Sequence, residues 1–184
     1  MVALLALGLA ARPAAARLLP AMPVVEARLG SAGAIGGDVA EGGPSGALGL
    51  LWPAARGVLA GVELSADDFG SSVGRLRDPN DGEDLGAVAD VHRAALGLAW
   101  RIDGRMSTWH GVQPFATGTW GLWRIRDDHL GHSTNSSTAA GLSAGGGVRR
   151  GFGGVSIGAS AAWHRVFSPV VGRWLAVGLD LGWR

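Results

Sequence analysis

Apolar residues recur at every second position from residue 24 to the end of the chain, in segments separated by clusters of Gly, Asp, Pro, Asn and Ser. Alternation with a period of two is typical of a β-strand with two different faces, and the 3.6-residue period of an amphipathic helix is absent. The pattern predicts an all-β chain of eight strands, near residues 24–35, 46–53, 57–69, 90–103, 109–125, 138–149, 154–166 and 173–183. An even number of strands is compatible with closure into an antiparallel barrel.

The predicted connections alternate between short and long. Short turns stand at 53–56, 104–107 and 150–153, and longer polar loops at 36–46, 70–89 and 127–137, with a shorter one at 168–172. Because consecutive antiparallel strands reverse direction, the turns gather at one end of the sheet and the loops at the other. This division is typical of a transmembrane β-barrel with short periplasmic turns and longer extracellular loops.

The two faces of the predicted strands differ in composition. One phase is apolar and uncharged, as in Val58 to Ala66, Ala94 to Ile102 and Val155 to Trp163, whereas the opposite phase carries Gly, Ala, Ser and isolated charges. A soluble barrel would cover its outside with charge, so small residues with paired charges fit the narrow interior of an eight-stranded barrel. The apolar face is therefore predicted to contact lipid. The pattern leaves the phase of residues 48–52, and of Trp123 and Arg124, open.

The inward phase carries a set of charged residues of both signs. Its members are Glu26, Arg28, Glu63, Arg93, Arg101, Arg149 and Asp180. Opposite charges in a narrow interior are expected to pair with one another, and the paired network would block the flow of water. The alternative is a narrow or gated path for ions along the same residues.

The eight Trp residues are expected near strand ends, where membrane barrels place aromatic girdles. The prediction assigns Trp52, Trp100, Trp109 and Trp183 to the turn end, and Trp120, Trp123, Trp163 and Trp174, with Phe69 and Phe167, to the loop end. The competing interpretation is that these rings form an ordinary apolar core.

The first segment, MVALLALGLAARPAAA, has the apolar run and small-residue site of a secretory signal peptide. We expect a signal over residues 1–16, with cleavage after residue 16 or 21, followed by a barrel domain over 24–184; an ordinary N-terminal helix is the alternative. The apolar run is too short to anchor the chain in a membrane as a helix.

Composition excludes several kinds of chemistry. The 184 residues include no Cys, no Tyr and no Lys, so thiolate nucleophiles, Cys zinc sites, Schiff-base lysines and phosphate-binding loops with a Lys are absent. The formal net charge is +1 and the Arg residues are scattered, which does not fit a nucleic-acid surface. No cofactor is expected.

Three polar groups are candidates for other chemistry. Asp78, Asn80, Asp81 and Asp84 could offer oxygen ligands to Ca²⁺ or bridge a cation to lipid phosphates, although a solvated loop explains them as well. His129 and His132 follow Asp127 and Asp128 with a spacing that permits a metal, against the simpler interpretation of an exposed loop. Ser160 and His164 share a strand face but lie ~13 Å apart along it, too far for a catalytic pair.

The last strand, RWLAVGLDLGWR, resembles the signal that outer-membrane barrels present to the barrel-assembly machinery. Its alternating residues are Leu175, Val177, Leu179 and Leu181, and the aromatic Trp183 follows. Over residues 24–184 the chain resembles the small eight-stranded outer-membrane barrels of Gram-negative bacteria, of the OmpA, OmpX and OmpW kind. That resemblance implies a location in the outer membrane, and lipid, lipopolysaccharide and the assembly machinery as partners.

The resemblance to OmpA and OmpX implies a monomer with a structural or surface-interaction role, and no enzymatic activity is expected. Three alternatives stay open. A resemblance to OmpW would imply a narrow passive channel for small solutes. The second alternative is an enzyme, because some barrels of this size resemble lipid A deacylases or acyl transferases. A secreted lipocalin-like binder would instead line a pocket with the apolar phase.

Overall fold

The computed structural model describes residues 22–35, 42–77, 84–129, 133–168 and 172–184. The eight strands are β1 (Val24–Ala34), β2 (Gly42–Ala55), β3 (Val58–Arg77), β4 (Asp84–Arg105), β5 (Val112–His129), β6 (Ser133–Phe152), β7 (Val155–Val166) and β8 (Arg173–Trp183). Each strand pairs antiparallel with the next, and β1 pairs with β8 from Val25 opposite Trp183 to Ala34 opposite Trp174. The predicted closed eight-stranded antiparallel barrel is confirmed, with the strands in the predicted order. Residues 1–21, with the expected signal segment, lie outside the described residues.

One end of the barrel, the turn end, carries the tight connections. Two residues join β2 to β3 and two join β6 to β7, and Gly57 and Gly153 adopt φ values of +74° and +65° there. Side chains other than Gly, Asn and Asp rarely adopt such values, which explains glycine at both turns. The longer β4–β5 connection closes with a bridge between Trp109 and Val112. No helix in the described part of the chain is long and apolar enough to cross a membrane.

The opposite end, the loop end, is uneven because four neighbouring strands are longer than the others. Strands β3 to β6 have 20, 22, 18 and 20 residues, whereas β1, β2, β7 and β8 have 11, 14, 12 and 11. The sequence prediction made β3 to β6 too short at this end. The outer segment of β3 is rich in Gly and Ser, that of β6 is rich in Ser, and that of β5 is charged, so all three lose the apolar alternation. Backbone pairing needs no apolar face, so the ladder continues and the four strands form a wall beyond the short strands.

Side chains alternate between the barrel interior and an outer face. Burial settles the phases that the pattern left open: Leu51 and Trp123 point inward, whereas Leu48, Trp52 and Arg124 point outward. The outer face carries large exposed apolar residues, among them Leu29, Leu64, Leu96, Leu98, Trp100, Leu122, Val148, Ile157, Leu175, Val177, Leu179 and Leu181. The described outward charges lie near the two ends, among them Arg150 at the turn end and Asp68, Arg124 and Arg126 at the loop end, and the described outer face between them is uncharged.

Candidate functional site

The interior nearest the turn end is filled by ionised side chains centred on Arg101. Its Nε and one terminal nitrogen each donate to Asp103 at 2.8 Å. The terminal nitrogens also reach Glu26 at 2.7 Å and Glu63 at 2.9 Å. Arg101, on β4, is 5% exposed, and it joins carboxylates that belong to β1, β3 and β4. A guanidinium with five donors is suited to hold several carboxylates in fixed positions.

Three further guanidinium groups complete this arrangement. Arg149 of β6 donates to Glu26, Arg105 donates to Glu26 at 3.1 Å, and Arg28 lies 3.8 Å from Glu63. Arg28 is also the cross-strand partner of Asp180, and both belong to the inward phase. We call these residues the charged layer: Glu26, Arg28, Glu63, Arg101, Asp103, Arg105, Arg149 and Asp180. Counted as formal charges, the four arginines of the layer balance its four carboxylates.

Glycines leave the space that this layer occupies. A Cβ placed on Gly49 would lie 3.1 Å from a terminal nitrogen of Arg101, and one on Gly158 would lie 3.0 Å from the Cβ of Arg149. A Cβ on Gly182 would lie 3.5 Å from Cγ of Glu26. Gly49 therefore leaves room for the Arg101 side chain. A Cβ on Gly158 or Gly182 would first meet the Val148 carbonyl oxygen at 2.5 Å or the Ser156 hydroxyl at 2.6 Å, so close neighbours outside the layer also require these two glycines.

The predicted network residues have different positions in the structure. Glu26, Arg28, Glu63, Arg101 and Arg149 make contacts with one another, and Asp180 is joined to them by its register with Arg28. Arg93 lies nearer the loop end of β4, away from these contacts. Asp103 and Arg105 belong to the network although the sequence analysis missed them. They continue the inward phase of Arg101 at every second position, and that signal could have found them.

The interior nearest the loop end is filled mainly by aromatic and aliphatic side chains. Trp123, Trp174 and Phe69 are at most 1% exposed, and Phe69 and Trp174 meet edge to face with ring centres 5.4 Å apart. We call this the aromatic layer: Phe69, Trp123, Ile125, His164, Val166 and Trp174, with small residues such as Ala32, Ala95 and Ala176 packed around them. It buries large apolar area inside the barrel, as a conventional protein core does.

His164 lies inside the aromatic layer. Its ring stacks on Trp174 at 4.8 Å and meets Trp123 edge to face at 6.4 Å. Neither of its ring nitrogens has a hydrogen-bond partner among the described residues. Two hydrogen-bonded pairs also lie in the interior: Ser45 donates to Asp67 at 2.6 Å, and the hydroxyls of Thr119 and Ser143 are 2.7 Å apart.

The predicted Trp girdles need two corrections. Trp174 is 0% exposed and points into the barrel, so it belongs to the aromatic layer and not to the outer face. Trp123 and Phe69 are buried in the same layer. Trp100 and Trp120 are cross-strand partners on the outer face, so they cannot belong to opposite ends. The cause is the tilt of the strands relative to the barrel axis. Because of this tilt, the distance of a residue from the end of its strand does not give its height along the barrel.

The other assigned Trp residues lie at the outer face or in a turn. Trp52 and Trp183 are exposed near the turn end of β2 and β8, and Trp163 points outward from β7. Trp109 lies in the β4–β5 connection. On β8 the residues of the predicted assembly signal also face outward, namely Leu175, Val177, Leu179, Leu181 and Trp183.

The candidate metal ligands of the predicted loops form no metal site among the described residues. Asp78, Asn80, Asp81 and His132 lie outside the described residues, Asp84 begins β4, and His129 ends β5. Within the described ranges no three His, Asp or Glu side chains converge as metal ligands. Ser160 and His164 both point inward on β7, and the described contacts include no hydrogen bond between them.

No protein-family model matches this chain, and no curated protein matches it by sequence. Solved structures match its fold. Neisserial surface protein A aligns with a TM-score of 0.59 and 16% identity, covering 88% of this chain and 94% of that one. The N-terminal barrel domain of Pseudomonas aeruginosa OprF aligns with a TM-score of 0.54 and 14% identity over 90% and 98%. Ail, the attachment invasion locus protein of Yersinia pestis, solved with the heparin analogue sucrose octasulfate, aligns with a TM-score of 0.52 and 11% identity over 88% and 96%. The fold is thus that of small outer-membrane barrels.

Proposed function

We propose that this chain is an integral outer-membrane barrel of Gram-negative bacteria with a structural or surface-interaction role. One observation carries the proposal: the described charges between the two ends all point into the barrel, while the outer face between them is apolar. In a soluble barrel this outer face would meet water, and Leu29 and Leu179 have exposed fractions of 74% and 68%. A soluble barrel would therefore have the reverse arrangement, with its charges outside. Closure also satisfies every strand edge, which hydrocarbon requires.

The surface part of the proposal rests on the uneven loop end. Strands β3 to β6 extend beyond the short strands and would stand above the membrane as a four-stranded wall. Two proteins of the same fold are named as surface or attachment proteins, Neisserial surface protein A and Ail. We therefore assign the role of contact with other molecules to this wall rather than to the interior.

The closed interior supports a barrel that does not conduct. The charged layer crosses the interior from β1 to β4 and β6, and the aromatic layer fills the space nearer the loop end. Ions following the interior would have to separate paired charges and then pass a packed apolar region. Both steps are unfavourable.

Gel mobility tests the membrane barrel. The chain beginning at residue 22, refolded in detergent, should migrate differently before and after boiling in dodecyl sulfate, because closed membrane barrels resist this detergent until heated. The control is the same chain denatured in urea and never refolded, which should show one mobility. Folded protein that stays soluble in buffer without detergent would overturn the proposal in favour of a secreted binder.

Conductance across planar bilayers tests the closed interior. The refolded chain should insert without steady ionic current. The double variant Arg101→Ala and Trp174→Ala, which removes one side chain from each layer, should give measurable current if the two layers close the path. Steady current through the unaltered chain would overturn the closed interior and favour the narrow channel.

A further inference from the structure

Among the side chains that the structure describes, four arginines point outward at the loop end, directly beyond the apolar part of the outer face. Arg124 and Arg126 belong to β5, Arg165 to β7 and Arg173 to β8. Arg165 and Arg173 are cross-strand partners, and the Arg165 guanidinium lies over the ring of Phe167. The two pairs thus lie on different sides of the barrel, and the β5 pair adjoins a depression in the outer face.

That depression has a volume of about 690 Å³ and crosses the outer face from β1 to β6. Its main row consists of successive cross-strand partners: Leu29, Gly46, Ala66, Leu96 and Arg124. Gly46 and Ala66 form a low floor because they have no large side chains, whereas Leu29 and Leu96 rise at its sides. We call this depression the wall groove, where wall means the outer surface of the closed barrel and not the four-stranded extension at the loop end. Arg124 follows Leu96 in this row, and Arg126 lies two residues further along β5, so the arginines lie at the end of the groove beyond Leu96.

The arginines at the end of the wall groove retain donors for a ligand. Among the described residues, Arg124 donates to Ser136 at 3.2 Å, and Arg126 donates through Nε to Asp128 at 2.9 Å. Both side chains are exposed, so their other N–H groups are open to the surroundings. The lining also contains two acids, and both have partners. Asp67 accepts from Ser45 at 2.6 Å, and Asp68 is 3.1 Å from His92 and accepts from the backbone of Gly70 at 2.7 Å.

We propose that the wall groove binds one molecule of the phosphorylated, multiply acylated glycolipid of the outer leaflet. One acyl chain lies over Gly46 and Ala66, and a phosphate accepts hydrogen bonds from Arg124 and Arg126. The paired guanidinium forks match phosphate oxygens, and the small-residue floor matches a hydrocarbon chain. The inference rests on the proposed outer-membrane location and adds the ligand and its site.

Native mass spectrometry of the refolded barrel with added lipid A tests the site. We expect one lipid A molecule to be retained, and the double variant Arg124→Ala and Arg126→Ala to weaken that binding at least tenfold. The matched control is Arg165→Ala with Arg173→Ala, which removes the same charge at the same end away from the groove and should change binding less than twofold. Lipid A without its phosphates should bind the unaltered barrel as weakly as lipid A binds the β5 variant.

A second pair of variants tests the apolar half. Gly46→Leu would fill the groove while keeping both arginines, and a Cβ there meets nothing closer than 3.7 Å, so the strand accepts it. Binding should fall at least fivefold, whereas Ala144→Leu, on the outer face of β6 outside the groove, should leave it unchanged.

An equal loss of lipid A binding in the two double arginine variants would overturn the site. It would favour a general attraction between the arginines and the membrane surface. Equal retention of a zwitterionic phospholipid would overturn the choice of lipid. These failures are distinct from failure of the proposed function, because the boiled and unboiled gel mobilities are recorded for every variant. A barrel that shows the gel shift but holds no lipid A refutes the wall-groove inference alone.

Discussion

The charged layer and the aromatic layer fill the same barrel in opposite ways. The charged layer consists of long flexible side chains whose positions are set by hydrogen bonds, with Arg101 bound to three carboxylates. The aromatic layer consists of rigid rings whose positions are set by contact, and His164 and both Trp side chains lack hydrogen-bond partners there among the described residues. The first layer depends on the pairing of its charges, and the second depends on volume. The same substitution is therefore expected to have different consequences in the two layers.

The largest effect is expected from breaking the pairing of the charged layer. Arg101→Ala leaves Glu26, Glu63 and Asp103 with too few cations, and an uncompensated buried charge costs about 3 to 5 kcal/mol. The free energy of unfolding, measured by urea titration in lipid vesicles, should fall by that amount. Arg124→Ala at the outer rim is the control and should cost less than about 0.5 kcal/mol. A loss below about 1 kcal/mol for Arg101→Ala would contradict a layer held by pairing.

Removing volume from the aromatic layer should cost nearly as much, for a different reason. Trp174→Ala deletes a fully buried indole and leaves a cavity, which costs about 3 to 4 kcal/mol in the same titration. Trp174→Phe keeps most of the ring and should recover more than half of the loss. If alanine and phenylalanine cost the same, packing is not what holds this layer.

A charge placed on the outer face tests the contact of that face with lipid, independently of the two interior layers. Leu98→Arg puts a guanidinium where Leu98 is 63% exposed to the surroundings, and in lipid this costs about 2 to 4 kcal/mol and reduces assembly. The matched control, Leu98→Met, should be nearly neutral. Vesicle refolding yields and urea titrations measure both effects. Equal tolerance of arginine and methionine at this position would show that the outer face does not meet hydrocarbon.

Glycine substitutions should distinguish the two layers directly. A Cβ on Gly97 would lie 2.6 Å from Oγ of Ser65 and would collide with the Trp123 indole, so Gly97→Ala should cost about 1 to 3 kcal/mol. A Cβ on Gly49 would lie 3.1 Å from the end of the flexible Arg101 side chain, so Gly49→Ala should cost less than about 1 kcal/mol. The reverse order of the two losses would contradict the rigid and flexible character of the layers.

The smallest expected effect is a gain. His164→Phe preserves the stacked ring on Trp174 while removing two buried nitrogens that lack described partners, and replacement of unpaired polar atoms by apolar ones should stabilise by about 1 kcal/mol. The urea midpoint should rise. His164→Ala, which loses the ring as well, should lower it, and a lower midpoint for phenylalanine would show that the imidazole makes a needed polar contact.

Much of this architecture follows from the local pattern of the amino-acid sequence. Alternation with a period of two gives the eight strands, their order and the two faces, because each strand's pattern is local and most of the connections are short. It also places Glu26, Arg101 and Arg149 in the interior. The sequence contains the signal that corrects Trp174 as well, since that residue shares the phase of Ala176 and Asp180 and not that of Leu175.

Height on the barrel wall does not follow from the same pattern. Trp100 and Trp120 stand at different distances from their strand ends, yet they are partners across β4 and β5. The stagger of neighbouring strands decides which residues lie level, and this stagger arises from closure of the whole sheet. The same stagger assembles the wall groove from neighbouring strands, none of which contains a recognisable motif for it.

The sequence by itself determined that the chain forms strands, how many there are, and which side chains face inward, since these follow from local alternation and turn residues. The tertiary structure decided which inward residues meet. Arg149 contacts Glu26 across a separation of 123 positions, and Arg101 contacts it across 75. Such contacts depend on the shear and diameter of the closed barrel, which no single strand encodes, so the division into a charged layer and an aromatic layer is a property of the closed barrel as a whole.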